Sequence, residues 1–117
     1  MRTLTFAISA LLTIMAGTAA RAHAFLEHAE PRVGATVATA PRELVLSYNQ
    51  NLEPAFSSVE VSDASGARVD LGKPRISASV MRVGLKQLPP GTYRVHWQVL
   101  SVDTHTSEGN FSFHVGP

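Results

Sequence analysis

The sequence predicts an all-β fold, an immunoglobulin-like β-sandwich of about seven strands in Greek-key order. Three observations carry that expectation. Apolar residues recur at every second position in several short runs, as in strands with one buried and one wet face. Proline- and glycine-rich turns separate the runs, as sandwiches require. No helical period follows residue 24.

The first element is not part of that fold. Arg2 gives a positive start, Leu4 to Ala16 is largely apolar, and the small residues Gly17, Thr18, Ala19 and Ala20 follow. This is the three-part pattern of a secretory signal, and its apolar stretch falls short of the ~20 residues of a membrane-spanning helix. Ala20-Arg21-Ala22 is a small-x-small cleavage site, which makes residues 1–22 the signal peptide and 23–117 one mature domain. Ala22-His23-Ala24 is a competing site, with cleavage after Ala24. A retained N-terminal anchor is the remaining alternative. Arg2 and Arg21 leave with the signal, so the mature chain turns slightly acidic, without the basic footprint of nucleic-acid binding. With no cysteines, the domain must hold together by its core, and a metal site must use His, Asp, Glu, Met or the amino terminus.

The strands follow in order. Pro31 and Gly34 precede a run with Leu44, Leu46 and Tyr48 facing one way; Pro54 breaks the chain before Val59 and Val61. Asp63-Ala64-Ser65-Gly66 is a hairpin-type turn, and Val80 to Leu85 is a further strand with Arg82 on its wet face. Pro89-Pro90-Gly91 stops the chain before the longest run, Tyr93, Val95, Trp97 and Val99. Phe111, Phe113 and Val115 form the last strand. Tyr93 and Trp97 are expected in the core.

The candidate chemistry lies in five histidines. Cleavage before His23 would give a free α-amine beside its own imidazole, a bidentate chelator suited to Cu(II); cleavage after Ala24 would remove it. His105 lies in a polar segment, Ser101 to Gly109, between the two strongest strands. If that segment is extended, Asp103 and His105 project to the same side. Such a pair can bind a metal or form a hydrogen bond with none. His96 and His114 are out of phase with the core and read as solvent-facing; His28 reads as a surface residue or an outer neighbour of a metal, and the role of Glu27 stays open. One amine, two imidazoles and one carboxylate suit tetragonal Cu(II) better than tetrahedral Zn(II). The amine titrates near ~8, so affinity should fall as pH drops. Cu(I) would want softer ligands, and Met81 is the only methionine after residue 22.

These residues resemble the CopC family of periplasmic copper-binding proteins. The likeness runs through His23-Ala24-Phe25-Leu26, Pro31, Gly34, Ala40-Pro41, Leu44 to Tyr48, Phe56-Ser57 before Val59 to Val61, and Leu88 with Gly91-Thr92-Tyr93. It is most specific from Val95 through Ser101-Val102-Asp103-Thr104-His105 to Gly109-Asn110-Phe111. The resemblance implies a monomeric periplasmic β-sandwich holding one Cu(II) on His23, Asp103 and His105, with no catalytic role and a CopD-like inner-membrane protein as partner. Three departures stand out. Residues 62–73 lack the methionines of some members, which resembles the Cu(II)-only type. Thr106 stands where proline is usual. Tyr48-Asn49-Gln50 stands where a serine and an acidic residue are common. Two other functions stay open: a redox enzyme resembling the copper brace of lytic polysaccharide monooxygenases, and a metal-free structural sandwich.

Overall fold

The computed structural model describes residues 24–117; the signal segment and His23 lie outside the described residues. Eight strands form two four-stranded sheets. In chain order they are β1 (Leu26–Glu30), β2 (Thr36–Val37), β3 (Glu43–Tyr48), β4 (Ser58–Ser62), β5 (Arg75–Ser77), β6 (Val80–Gly84), β7 (Gly91–Leu100) and β8 (Thr106–Val115). One sheet has the order β1-β3-β6-β5 and the other β2-β8-β7-β4. All pairings are antiparallel except β2 with β8. The chain crosses repeatedly between sheets, as the all-β sandwich expectation requires.

The predicted alternation is present where a strand has a buried face. Leu44, Leu46 and Tyr48 of β3, Val59 and Val61 of β4, and Tyr93, Val95, Trp97 and Val99 of β7 all point inward. Phe113 joins them from β8 and stacks on Tyr93 at 5.5 Å. Tyr48 meets Trp97 edge-on at 5.2 Å, a favoured aromatic geometry. Burying each such side chain contributes on the order of 1.5–3 kcal/mol. Met81 is fully buried, packed in the core rather than offered to a metal.

Three strands were not individually legible, and each is an edge. β1 buries only Ala29, β5 only half-buries Ile76, and β2 has two residues. A strand with one inward position has no period to read. The last two strands are longer than their apolar runs. Thr106 to Gly109, expected within the polar connection, pairs along β7 as the start of β8.

This topology gathers chain segments at one end of the sandwich. Leu26 pairs with Tyr48, and Leu100 with Thr106. The start of β1, the end of β3 and the five-residue β7–β8 loop, Ser101 to His105, therefore share that end. Among the described residues, no helix is long and apolar enough to cross a membrane.

Candidate metal centre

The β7–β8 loop is organised by Ser101. Continuing the inward phase of Val95, Trp97 and Val99, Ser101 is fully buried. Its amide donates to the His105 carbonyl at 3.0 Å, and its carbonyl accepts the Thr104 amide at 2.8 Å. Its hydroxyl donates to Asp103 Oδ1 and lies 3.2 Å from the His105 carbonyl oxygen. The loop is thus a tight turn, which corrects the expectation of an extended segment. Thr104 carries a φ of 73°, a left-handed value that a β-branched residue adopts only under strain.

The turn brings Asp103 and His105 together by a different route from strand alternation. Asp103 Oδ1 and His105 Nδ1 lie 3.6 Å apart, with both side chains well exposed. The Ser101 hydrogen bond, then the His105 imidazole, hold the Asp103 carboxyl below the usual carboxylate range. Adjacent donors on one metal, each ~2 Å from it, sit about 3 Å apart. The observed spacing lies within a small side-chain adjustment of that, so an imidazole nitrogen and a carboxylate oxygen here can share one ion. Among the described residues, no group of three or more His, Asp or Glu side chains converges; His23, the third predicted ligand, lies outside them.

The loop is fastened to the N-terminal segment through a common partner. The Asn51 carbonyl accepts the Val102 amide at 3.0 Å, and Leu52 bridges Ser101. Two residues earlier, Asn49 Oδ1 accepts the Phe25 amide at 2.6 Å, and the Asn49 amide donates to the Phe25 carbonyl at 3.1 Å. Ala24, next to His23 in sequence, is buried. Segment 49–52 therefore holds both the β7–β8 loop and the chain two residues beyond His23.

The other histidines lie apart from this loop. His96 Nδ1 is 2.8 Å from Asn110 Oδ1, and His114 Nδ1 is 3.0 Å from Thr92 Oγ1, both on the outer face of β7 and β8. His28 faces Glu30 at 4.0 Å with both side chains exposed. Sequence reasoning missed the positioning roles of Ser101 and Asn49. A signal existed for Ser101, a polar residue in core phase. Asn49 had none, because its partner is a main-chain amide 24 residues away.

The fold and this loop define a class: a two-sheet β-sandwich presenting a carboxylate–imidazole pair from the S-x-D-x-H turn before its last strand. The chain belongs to the CopC family, whose domain model matches residues 26–116. It is similar to Protein YobA of Escherichia coli (strain K12), 30% identical over 122 residues that cover 97% of this chain and 95% of that protein. It is 33% identical to Copper resistance protein C of Xanthomonas campestris pv. juglandis over 110 residues, 86% of each chain. Its fold matches the crystal structure of CopC from Methylosinus trichosporium OB3b with a TM-score of 0.76 at 32% identity, covering 81% of this chain and 95% of that one. Its relatives named Copper resistance protein C support a copper-binding role for the family to which this chain belongs.

Proposed function

We propose that the mature chain begins at His23 and carries one Cu(II) ion in the periplasm, bound by the His23 amine and imidazole, Asp103 and His105. It buffers the ion or passes it to a CopD-like membrane protein. The observation that carries this reading is the 3.6 Å approach of Asp103 and His105 on a loop tied to the segment that clasps Phe25. One peptide bond separates His23 from the buried Ala24, so a ligand there needs no long reach. The burial of Ala24 also favours cleavage before His23, since cleavage after Ala24 would remove a packed residue.

The donor chemistry favours Cu(II) over Cu(I). No thiolate exists in the chain, and the fully buried Met81 offers no thioether at the loop; hard and borderline donors select the oxidised ion. A carboxylate beside the imidazole favours holding the ion over redox cycling, which makes the protein a carrier rather than an enzyme.

Intact mass of the protein recovered from the periplasm, with and without one equivalent of Cu(II), tests the reading. A chain starting at His23 and retaining one copper is expected, with the ion lost from a correctly processed His23→Ala variant. A chain starting at Phe25, or His23→Ala binding as tightly as wild type, overturns it.

A further inference from the structure

The core gathers hydroxyl groups beneath the Asp103–His105 turn. Ser101 and Ser57 are buried there and both are partnered, Ser101 with Asp103 and Ser57 as the acceptor of the Leu100 amide at 3.1 Å. Two further hydroxyls join them from opposite sheets. Tyr48 closes β3 and is 3% exposed. Ser107 lies on the inward face of β8, opposite Val99 and two residues beyond His105. Tyr48 Oη and Ser107 Oγ are buried, and neither has a hydrogen-bond partner among the described residues. Tyr93, at the other end of β7, shows the contrast, because its hydroxyl donates to the Pro89 carbonyl. An unpaired buried hydroxyl opposes folding, and phenylalanine and alanine would fill the same two places without that cost. Two such groups at one end point to a polar partner that enters there.

The chain that enters there is the one leading into Ala24. Ala24 is 1% exposed and belongs to the same core cluster as Tyr48 and Trp97. Leu26, two residues further on, pairs with Tyr48. Tyr48 meets Trp97, which lies opposite Gly109, the inward position of β8 next to Ser107. Residue 23 is one residue from the buried Ala24, a reach of at most ~3.6 Å, so it is delivered to the core at the end where both hydroxyls lie.

The chemistry of a chelating histidine supplies the partner. An imidazole that closes a ring on copper with its own α-amine binds through Nδ1, which leaves Nε2–H directed away from the ion. Metal-bound imidazoles almost always donate this second N–H to an acceptor, which fixes the ring. Burial keeps the Tyr48 phenol protonated and neutral, so its oxygen, like that of Ser107, is free to accept.

We infer that the Tyr48 and Ser107 hydroxyls are positioning groups that accept the Nε2–H of His23 and hold its ring toward the ion. This rests on the copper-carrier reading, and deepens it by adding a buried hydrogen-bonding layer behind the ligands.

The test uses the processed chain with Tyr48→Phe, with Ser107→Ala and with both, each change removing a hydroxyl and little else. In competition titrations, Cu(II) affinity should fall about tenfold in at least one single variant and up to about a hundredfold in the double, with the Cu(II) EPR hyperfine splitting moving alongside. The same substitutions are then placed, without metal, in the wild type and in correctly processed His23→Ala. They should lower Tm in the wild type and leave or raise it in His23→Ala, where no imidazole remains to be accepted; this cycle isolates the contact. Equal Tm changes in the two backgrounds overturn it, a rise in both marking plain unpaired hydroxyls and a fall in both a bridging water. Affinity and splitting unchanged in all three variants overturn it as well. Copper binding by the wild type keeps the two readings apart. One copper bound, unmoved by the loss of the hydroxyls, sinks this layer alone, whereas no copper bound by the wild type sinks the carrier reading beneath it.

Discussion

Asn49 holds the Phe25 backbone from both directions, accepting its amide on Oδ1 at 2.6 Å and donating to its carbonyl at 3.1 Å. Only the first bond needs the side chain. Asn49→Ala should therefore leave the strand pairing of β1 and β3 intact while loosening the chain just after His23. A net hydrogen bond is worth about 0.5–1.5 kcal/mol, which as lost positioning predicts up to about a tenfold fall in Cu(II) affinity with little change in Tm. Asn49→Asp, which keeps an acceptor, should recover most of it. Competition titrations against a chelator of known affinity measure this, and an unchanged affinity in Asn49→Ala would remove the clasp from the account of the site.

Ser101 and Asp103 give a prediction in pH. The Ser101 hydroxyl, first, and the His105 imidazole, second, keep the Asp103 carboxyl below its ordinary range. A depressed value means the carboxylate survives to lower pH than a free aspartate. Ser101→Ala should raise it back toward the model-peptide value of ~3.9, so protons compete earlier for the carboxylate during acidification. Carbon-detected NMR titration of the Asp103 side chain reads the shift directly. The midpoint of copper release on acidification should rise with it. A midpoint for Asp103 identical in wild type and Ser101→Ala would show that the buried hydroxyl does not hold it.

The fold was legible wherever a strand buries alternate residues on one side, as β3, β4, β7 and β8 do. Edge strands β1, β2 and β5 were not, because they owe their place to backbone pairing with a neighbour rather than to a buried face of their own. The site divided similarly. Residue type and spacing in Asp103-Thr104-His105 pointed to the pair that the loop brings within 3.6 Å. The spacing argument assumed an extended chain, whereas a turn with Thr104 at positive φ does the work. Main-chain contacts that bridge distant segments, such as Asn51 to Val102, have no side-chain signature and needed coordinates.

Asp70 predicts how the domain responds to acid. Its side chain is 2% exposed, accepts Arg68 Nε at 2.8 Å and Nη2 at 2.9 Å, and accepts the Val61 amide at 2.9 Å. Burial alone would raise its pKa, but the Arg68 and Val61 hydrogen bonds outweigh burial and lower it. A carboxyl with a depressed folded pKa contributes stability above its unfolded value, and that stability is lost as pH falls through the folded value. Asp70→Asn should cost about 1–3 kcal/mol near neutral pH, because it weakens the charge-assisted bonds in a buried site. The deficit should shrink as the wild-type carboxyl protonates. Urea unfolding of both proteins at pH 7 and at pH 3 decides it, and a constant gap between the two curves would contradict the linkage.

Gly109 predicts a packing limit at the core of the candidate-site end. It sits opposite Trp97 in the β7–β8 ladder, and a Cβ added there would lie 2.6 Å from Trp97 Cζ2 and 2.9 Å from Cε2. The indole cannot retreat freely, since Tyr48 meets it edge-on at 5.2 Å. The glycine at this place in the Gly109-Asn110-Phe111 run is thus required by the close approach of the indole. Overpacking of this kind costs about 1–3 kcal/mol, so Gly109→Ala should lower Tm by several degrees, at roughly 4–8 °C per kcal/mol for a domain of this size. Trp97 is the sole tryptophan, so a change in its emission maximum would report the displaced ring without interference. The smaller ring of Trp97→Phe should make Gly109→Ala nearly neutral in that background, and a double-mutant cycle measures this coupling. Equal costs of Gly109→Ala with and without the indole would place the strain somewhere other than this contact.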